Sequence, residues 1–497
     1  MVIQGWFEKS IHKVFPDETP CQRPAAHIYA ARREGEACQL VLRAEADSTV
    51  RLNFSPVVNA AGEALKADVF EVLYLQAGSH GVWADPLRPA GGTLQLKAGE
   101  AKALLWRIHT EAENAPGEYA GSAEVAAEDG AKLVYPLTVT VWDFVLPAAP
   151  SCQTAFGLRQ DVLEEFYGLE KDSAESRAMY AKYYESLLAH KISAYELPED
   201  IRSDKADAYM DDPRVTGFRI PLAETDEELN QYFGKLRQKR EWFSKAYFYA
   251  LDEPSGKASY ERMEQISARL NRLEPNFRQV IPFYMNPQFD IRLHAVESMT
   301  GKVRIWCPES NTWDDLNAWD KIGRGPDNSL GTKMRARQAV GETVWWYVCC
   351  GPRAPYCNLH ITMEGIQHRL LFWQQMQKHV EGLLYWSTDW WVKETGTSNP
   401  WTDMATVKEI DPDLYGDGSL FYPGPEGPLP SFRLECVRDG IEDFEYLKMA
   451  EERLGRDFVD DIIGRVTTSL TEYNTDEDHF EEVRIRLGKA LEQTRHG

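Results

Sequence analysis

The chain has 497 residues, with 55 Lys and Arg against 78 Asp and Glu and a formal net charge of -23. A surface of that sign repels phosphate backbones and anionic lipid, which argues against nucleic-acid and membrane partners. No apolar stretch reaches the length of a membrane span, and Met1 to Ser10 has no basic start running into an apolar segment, so a cytoplasmic protein without a secretory signal is expected.

The length calls for two or three domains. The eight cysteines, Cys21, Cys38, Cys152, Cys307, Cys349, Cys350, Cys357 and Cys436, show no CxxC spacing and no zinc-like grouping with His. They read as reduced, packed thiols, and no metal is expected. No Gly-rich phosphate loop is present, so no cofactor is expected either. The 15 Trp and 22 Tyr make an aromatic-rich chain. Most of these rings must be core, but many in the second half stand beside Gly, Pro, Asn and Asp, a mixture suited to sugar rings with their apolar faces and hydroxyl rims.

In chain order, residues 1–148 read as an all-β unit. Short apolar or alternating runs recur at 37–43, 50–54, 69–75, 94–96, 103–109, 119–126 and 133–142, separated by turns such as Pro89-Ala-Gly-Gly and Ala115-Pro-Gly-Glu. Strands at that spacing predict a β-sandwich. Pro147-Ala-Ala-Pro150 is a stiff joint and marks a boundary.

The pattern then changes to strand followed by helix. Strands are predicted at 154–158, 193–197, 216–220, 247–252, 280–284, 303–307, 344–349 and 383–387. Helical stretches between them include 174–189, 226–239, 260–273, 334–339 and 366–380. Eight strands are the number that closes a (β/α)8 barrel, expected over 149–450. A long loop follows at 388–430, rich in Trp, Gly and Pro, and its length and aromatic content favour a functional role. Residues 451–497 read as a helical extension. There Thr475 and Asp478 resemble a capping box, and Phe480, Val483, Leu487 and Leu491 share one face expected to pack on the barrel.

The fourth predicted barrel strand runs Tyr247-Phe-Tyr-Ala-Leu251 into Asp252, Glu253 and Pro254. Proline cannot continue a sheet ladder, so two adjacent carboxylates fall at a strand-to-loop edge. The plain alternative is a solvated turn capping the next helix. A barrel favours the chemical reading, because the other suggestive clusters fall at the same carboxyl ends. These are Tyr284 and Asn286 after strand five, Trp306 and Glu309 after strand six, Trp346 and Tyr347 in strand seven, and Trp386 and Asp389 after strand eight. The long loop adds Asn399, Asp417 and Tyr422.

Two close carboxyls divide into a proton donor and an anion, the division that glycosidic cleavage needs. Ordinary retaining glycosidases place two carboxyls across the sugar about 5 Å apart, and inverting ones place them wider, which adjacent residues do not manage. Adjacent acids suit the exception, in which the substrate's own 2-acetamido oxygen attacks the anomeric carbon.

Six segments together resemble glycoside hydrolase family 123 and the related domain-of-unknown-function family 4091. They are Ala250-Leu-Asp-Glu-Pro254, Arg304-Ile-Trp-Cys-Pro308, Val344-Trp-Trp-Tyr-Val-Cys-Cys-Gly-Pro352, Gly382-Leu-Leu-Tyr-Trp-Ser387, Asp417-Gly-Ser-Leu-Phe-Tyr-Pro-Gly424 and the run from Ser431 to Leu447. The resemblance covers about 247–447, and more weakly the β-rich region before it. It implies a β-sandwich followed by a (β/α)8 barrel, and β-N-acetylgalactosaminidase chemistry by substrate assistance with retention. It also implies that Asp252 orients the acetamido group and Glu253 serves as general acid, then base. Tyr284 is then a candidate partner for the acetamido carbonyl. Trp346, Tyr347 and Trp386 are candidate walls of the sugar subsite, with Asn286, Trp306, Asp417 and Tyr422 as further substrate contacts. The expected partner is a carbohydrate with a terminal amino sugar. Arg433, Arg438 and Asp439 read instead as a buried structural network. A glycosidase of another specificity and a non-catalytic carbohydrate-binding protein are the competing readings.

Overall fold

The computed structural model describes residues 2–254, 257–284, 296, 299–314, 330–393, 396–397, 399–402, 404 and 414–494. The chain divides into two compact units. The first comprises Met1–Ala148, Leu359–Trp373 and Ser398–Gly497, and the second Ala149–Asn358 with Gln374–Thr397. No helix among the described residues is long and apolar enough to cross a membrane. All eight cysteines are free thiols.

The first unit opens with β1 (Ile3–Lys9), β2 (Ala26–Arg32), β3 (Gly35–Ala44), β4 (Ser48–Phe54), β5 (Val57–Asn59), β6 (Ala64–Gln76), β7 (Val82–Pro89), β8 (Thr93–Leu96), β9 (Ala101–His109), β10 (Gly117–Ala126) and β11 (Lys132–Val145). They pair in the order β1-β3-β9-β6-β5-β10-β11-β2, with β7 on β6, β4 on β10 and β8 on β4. Only the β11–β2 pair among these is parallel. One apolar core joins alternate residues of β3 and β9 (Leu40, Leu42, Leu104, Trp106) to those of β10 and β11 (Tyr119, Val125, Leu137, Val139). That is the two-residue period expected of strands with one buried face. The strands β1, β2, β5 and β7 were not marked by the sequence pattern. β7, Val-Trp-Ala-Asp-Pro-Leu-Arg-Pro, carries two prolines and a fully buried Asp85, which masks its strand character.

The second unit is a mixed α/β ring. Its strands are β12 (Gln153–Phe156), β13 (Phe218–Arg219), β14 (Ala246–Tyr247), β15 (Val280–Phe283), β16 (Ile305–Pro308), β17 (Thr343–Val348) and β18 (Gly382–Tyr385). β15, β16, β17, β18 and β12 form one parallel sheet in that order. Residues 193–195 continue it: Tyr195 N–H donates to the Phe156 carbonyl at 2.8 Å, and Arg219 N–H donates to the Tyr195 carbonyl at 2.6 Å. β13 and β14 are parallel, and Phe248 meets Gln279 in a parallel bridge. These bonds link eight segments in a cyclic order, a barrel-like arrangement with one set of carboxyl ends. Its interior holds Ala155, Tyr195, Tyr247, Val280, Ile305, Cys307, Trp345, Tyr347 and Leu384.

Helices stand between the strands: α1 (Gln160–Tyr167), α2 (Ala174–Ala189), α3 (Asp207–Asp211), α4 (Asp226–Leu236), α5 (Arg240–Lys245), α6 (Lys257–Leu273), α7 (Leu330–Gln338) and α8 (Gly365–Gln377). The side chains of Ser173 and Thr225 cap α2 and α4, accepting from Ser176 N–H and Glu228 N–H. Strands of this ring are buried on both faces, which explains uninterrupted apolar runs such as Thr-Val-Trp-Trp-Tyr-Val in β17.

The chain ends in α9 (Phe432–Leu454), α10 (Arg456–Gly464) and α11 (Glu477–Gln493), all in the first unit. By its internal contacts 398–497 groups with the β unit, where charged side chains of α9 find partners. Arg433 meets Asp85 with both nitrogens at 2.9 Å, and Arg438 pairs with Asp439 at 2.6 Å. α11 also belongs to this unit: Arg484 donates to Asp443 at 2.7 Å and to the Tyr29 carbonyl at 3.0 Å. The cap of α11 is Asp476, which accepts from Asp478 and His479 N–H, rather than Thr475.

Candidate active site

The strand holding Tyr247 ends six residues before Glu253, and the turn between them sets the site. Tyr247 and Tyr249 face the ring interior, so strict alternation would send Asp252 outward. Glu253 instead adopts φ +39°, a left-handed backbone that a non-glycine residue holds only at a cost. Alternation is broken there, and each carboxyl meets its own tyrosine. Tyr249 Oη donates to Asp252 Oδ1 at 2.7 Å. Tyr347 Oη, from β17 across the ring, donates to Glu253 Oε1 at 2.5 Å.

The two environments differ. Asp252 is exposed, whereas Glu253 is half-buried. Burial pushes the Glu253 carboxyl above its ordinary range; the Tyr347 bond opposes that rise and the charge of Asp252 adds to it. A third carboxyl, Glu309, lies at the end of β16, where it forms a parallel bridge with Tyr347. Burial and the nearby Glu253 charge lift it to about 7, against an Asn311 hydrogen bond that lowers it. Gly351 makes room for it, since a Cβ there would stand 2.4 Å from Glu309 Oε1.

At the end of β18, Trp386 is half-buried and tilted against Trp390 at 5.4 Å. Gly157, past the end of β12, lets the backbone at Trp386 pass close by, because a Cβ there would meet the Trp386 carbonyl at 2.0 Å. Asp389 is fully buried and accepts from Arg159 N–H at 3.1 and 3.2 Å. Burial raises its carboxyl to about 8. Trp386, Arg159, Tyr195 and Arg219 line a hollow of about 820 Å³. Tyr195 stands edge-on to Tyr249 at 5.7 Å, so the hollow adjoins the acid pair through two tyrosines.

Of the residues singled out from sequence, Asp252, Glu253 and Tyr347 are brought together, and Tyr284 packs at the rim of the same interior cluster. Trp386 is at the neighbouring hollow. Asn286 lies outside the described residues. Four expected contacts lie away from the acid pair. Trp346 is fully buried on the opposite face of β17 from Trp345 and Tyr347. Trp306 is likewise buried on the face away from the interior, its Nε1 donating to Glu342 at 2.6 Å. Tyr422, in the first unit, is fully buried and donates to Asp85 at 2.5 Å within the Arg433 network. Asp417 is buried in that unit too, 1% exposed, so neither loop residue offers a free sugar-binding surface. Arg433, Arg438 and Asp439 are all buried and paired, Arg433 with Asp85 and Arg438 with Asp439. Tyr249 was missed, although its place three residues before Asp252 at a strand end was a usable signal.

The chain matches the family model described as Glycoside hydrolase 123, catalytic domain, over residues 191–450. Among solved structures it is similar to a family 123 glycoside hydrolase from Clostridium perfringens, studied for glycolipid glycan hydrolysis. The two share 12% identity and a TM-score of 0.70, over 99% of this chain and 98% of that one. A Bacteroides ovatus GH5 xyloglucanase matches at 10% identity and TM-score 0.28, over 86% of this chain and 99% of that one. A Bacteroides uniformis β-glucuronidase 2 matches at 11% and 0.26, over 74% and 47%. Those two scores are too low to carry an argument. No curated protein sequence matches the chain. The family model spans more than half of the chain and the fold likeness spans nearly all of it: the chain belongs to glycoside hydrolase family 123 and is a glycosidase acting on carbohydrate.

Proposed function

We propose that the protein is a retaining, exo-acting β-N-acetylgalactosaminidase-like enzyme that uses the substrate's 2-acetamido group as nucleophile. The observation that carries this reading is the separate tethering of two adjacent carboxyls, Asp252 by Tyr249 and Glu253 by Tyr347. An anion beside a carboxyl with a raised proton affinity is the pair that substrate assistance requires.

In this reading Asp252 holds the acetamido N–H, and the acetamido oxygen attacks the anomeric carbon. The bond to the aglycone oxygen breaks as Glu253 protonates that oxygen. Water then opens the cyclic intermediate from the same face, giving its proton to Glu253, so configuration is retained. Tyr284 is the candidate partner for the acetamido carbonyl. The same reading takes the architecture as a β-sandwich followed by a (β/α)8 barrel, with the terminal amino sugar at the barrel mouth.

The test compares aryl β-glycosides with and without the 2-acetamido group. Turnover should require that group, and the first-formed product should be the β-anomer. Equal rates on both substrates would reject substrate assistance in favour of a glycosidase of another specificity. Glu253→Gln should lower kcat by roughly 10²–10⁴-fold on poor leaving groups and less on activated ones. Asp252→Asn should impair both, because it acts on the nucleophile.

A further inference from the structure

Five of the eight thiols are buried, and three, Cys21, Cys349 and Cys350, are half-buried. Burial and the Glu8 carboxylate push the Cys21 thiol up to about 11, so it stays protonated and inert at neutral pH. Cys349 and Cys350 stand in a different setting. They follow β17 directly, and neighbours in a regular strand would point to opposite faces. Here their sulfurs are 3.7 Å apart. The chain turns at this point. Cys349 N–H donates to the Gly351 carbonyl at 2.7 Å. The amide of Asn358, itself fully buried, donates to the Cys349 and Pro352 carbonyls at 2.9 Å each. The turn also touches the acid site. Cys349 packs against the interior cluster that contains Tyr347, two residues past the tyrosine that holds Glu253. On its other side Gly351 has Glu309 Oε1 where a Cβ would stand.

We propose that Cys349 and Cys350 are a site of reversible oxidation, closed to a vicinal disulfide by a small disulfide such as oxidised glutathione, and that closure loosens the Tyr347–Glu253 bond. One cysteine thiolate attacks the glutathione disulfide, which forms a mixed disulfide and releases one glutathione. The neighbouring thiolate then attacks the cysteine sulfur, closing the protein S–S bond and releasing the second. The two cysteine protons end on the two glutathione thiols. Closure draws the sulfurs from 3.7 Å to about 2.0 Å. Adjacent residues hold their Cα atoms about 3.8 Å apart, closer than the about 4.4–6.8 Å of an ordinary bridge, so the bond is strained and readily reduced again. The movement falls on a turn pinned between Tyr347 and Glu309, and the end of β17 must yield to it. The effect on rate rests on the function proposed above, because it acts through Glu253; the oxidation itself does not.

The experiment incubates the full-length protein with excess oxidised glutathione at a pH of about 8, where an ordinary thiol is partly ionised. Two glutathiones should be released per chain, the protein should lose two hydrogens in mass, and peptide mapping should place the link between Cys349 and Cys350. The value of kcat/KM on an aryl β-N-acetylgalactosaminide should fall about tenfold or more, the loss expected of a bond to a charged group. Dithiothreitol should restore it. Cys350→Ser should keep its rate under the same treatment. In Tyr347→Phe, which already lacks the bond, oxidation should lower the rate by a smaller factor. A link elsewhere, a lasting adduct of one glutathione, or a closed bond with an unchanged rate overturns the proposal while leaving the catalytic reading in place. No turnover by the untreated protein sinks the catalytic reading itself. In that event glutathione release and mapping still decide the oxidation site, and hydrogen exchange across 345–351 decides the coupling: faster exchange after oxidation supports it, and unchanged exchange overturns it.

Discussion

Tyr347 and Glu253, 94 residues apart in sequence, are joined by a 2.5 Å bond from phenol to carboxylate. Tyr347 comes from β17 and Glu253 from a left-handed turn, so the ring of strands brings the proposed acid to its partner. The bond stabilises the anionic form and lowers the proton affinity that burial raises. Tyr347→Phe removes that opposition, so the proton of Glu253 should be held to higher pH. The alkaline limb of kcat/KM should move upward. At its optimum the rate should fall roughly ten- to a hundredfold, the span of a charge-assisted bond of about 1.5–3 kcal/mol. A pH–rate profile of the variant with its limb unmoved would separate Tyr347 from the titrating group.

Glu309 predicts a shift of the opposite sign. It lies close enough to feel the Glu253 charge, and it titrates at about 7 in the presence of that charge. Two interacting carboxyls lose their protons as a pair, and the last proton leaves at the higher value. The wild-type alkaline limb should therefore lie above the one that Glu253 would give alone. Glu309→Gln leaves Glu253 to titrate alone, so the limb should move to lower pH, with kcat at acidic pH changed much less. Upward movement, or none, would show that the two carboxyls do not share a titration.

The order of strands was legible because apolar runs and turn residues alternate through 154–387, and the observed β12 to β18 fall on or beside the predicted runs. Facing was read less well. Trp346 and Tyr347 were both assigned to the sugar site, yet neighbours in a regular strand point to opposite faces. Tyr347 faces in with Trp345, while Trp346 faces out. The same parity removes Trp306 and leaves Cys307 inside. Asp252 and Glu253 escape the rule only through the positive φ of Glu253, which no local pattern announces. Tyr422 failed for another reason: its partner Asp85 lies 337 residues earlier. α9 defied an amphipathic reading because Phe432 to Leu447 are all buried, charged residues included.

Asp389 predicts how stability responds to pH. Its folded carboxyl is raised to about 8 by burial, against an unfolded value of about 3.9. Between these values the folded chain holds a proton that the unfolded chain has released. Its contribution is fully present below pH about 4 and is lost as pH rises towards 8. Glu309 acts in the same direction up to about 7. The urea midpoint should therefore fall between pH 5 and 8, and Asp389→Asn should flatten part of that slope. An unaltered slope in the variant would mean that the buried carboxyl is charged.

Arg433 supplies the sharpest stability test, because all five of its N–H donors have acceptors in the first unit. Two go to Asp85 at 2.9 Å, two to the carbonyls of Leu359 and Gly416 at 2.7 Å, and one to the Ser419 carbonyl at 2.5 Å. Both members of the ion pair are 0% exposed. Arg433→Met leaves Asp85 buried without its counter-charge, and should cost about 3–5 kcal/mol in urea denaturation. Adding Asp85→Leu removes the stranded charge and should recover part of that loss, although three carbonyls still lack their donor. Tyr422→Phe removes one bond to a charged partner and should cost about 1.5–3 kcal/mol, without raising KM in the folded protein. A raised KM with unchanged stability would return Tyr422 to the sugar site, and an Arg433→Met variant as stable as wild type would show that the network does not hold 398–497 to the β unit.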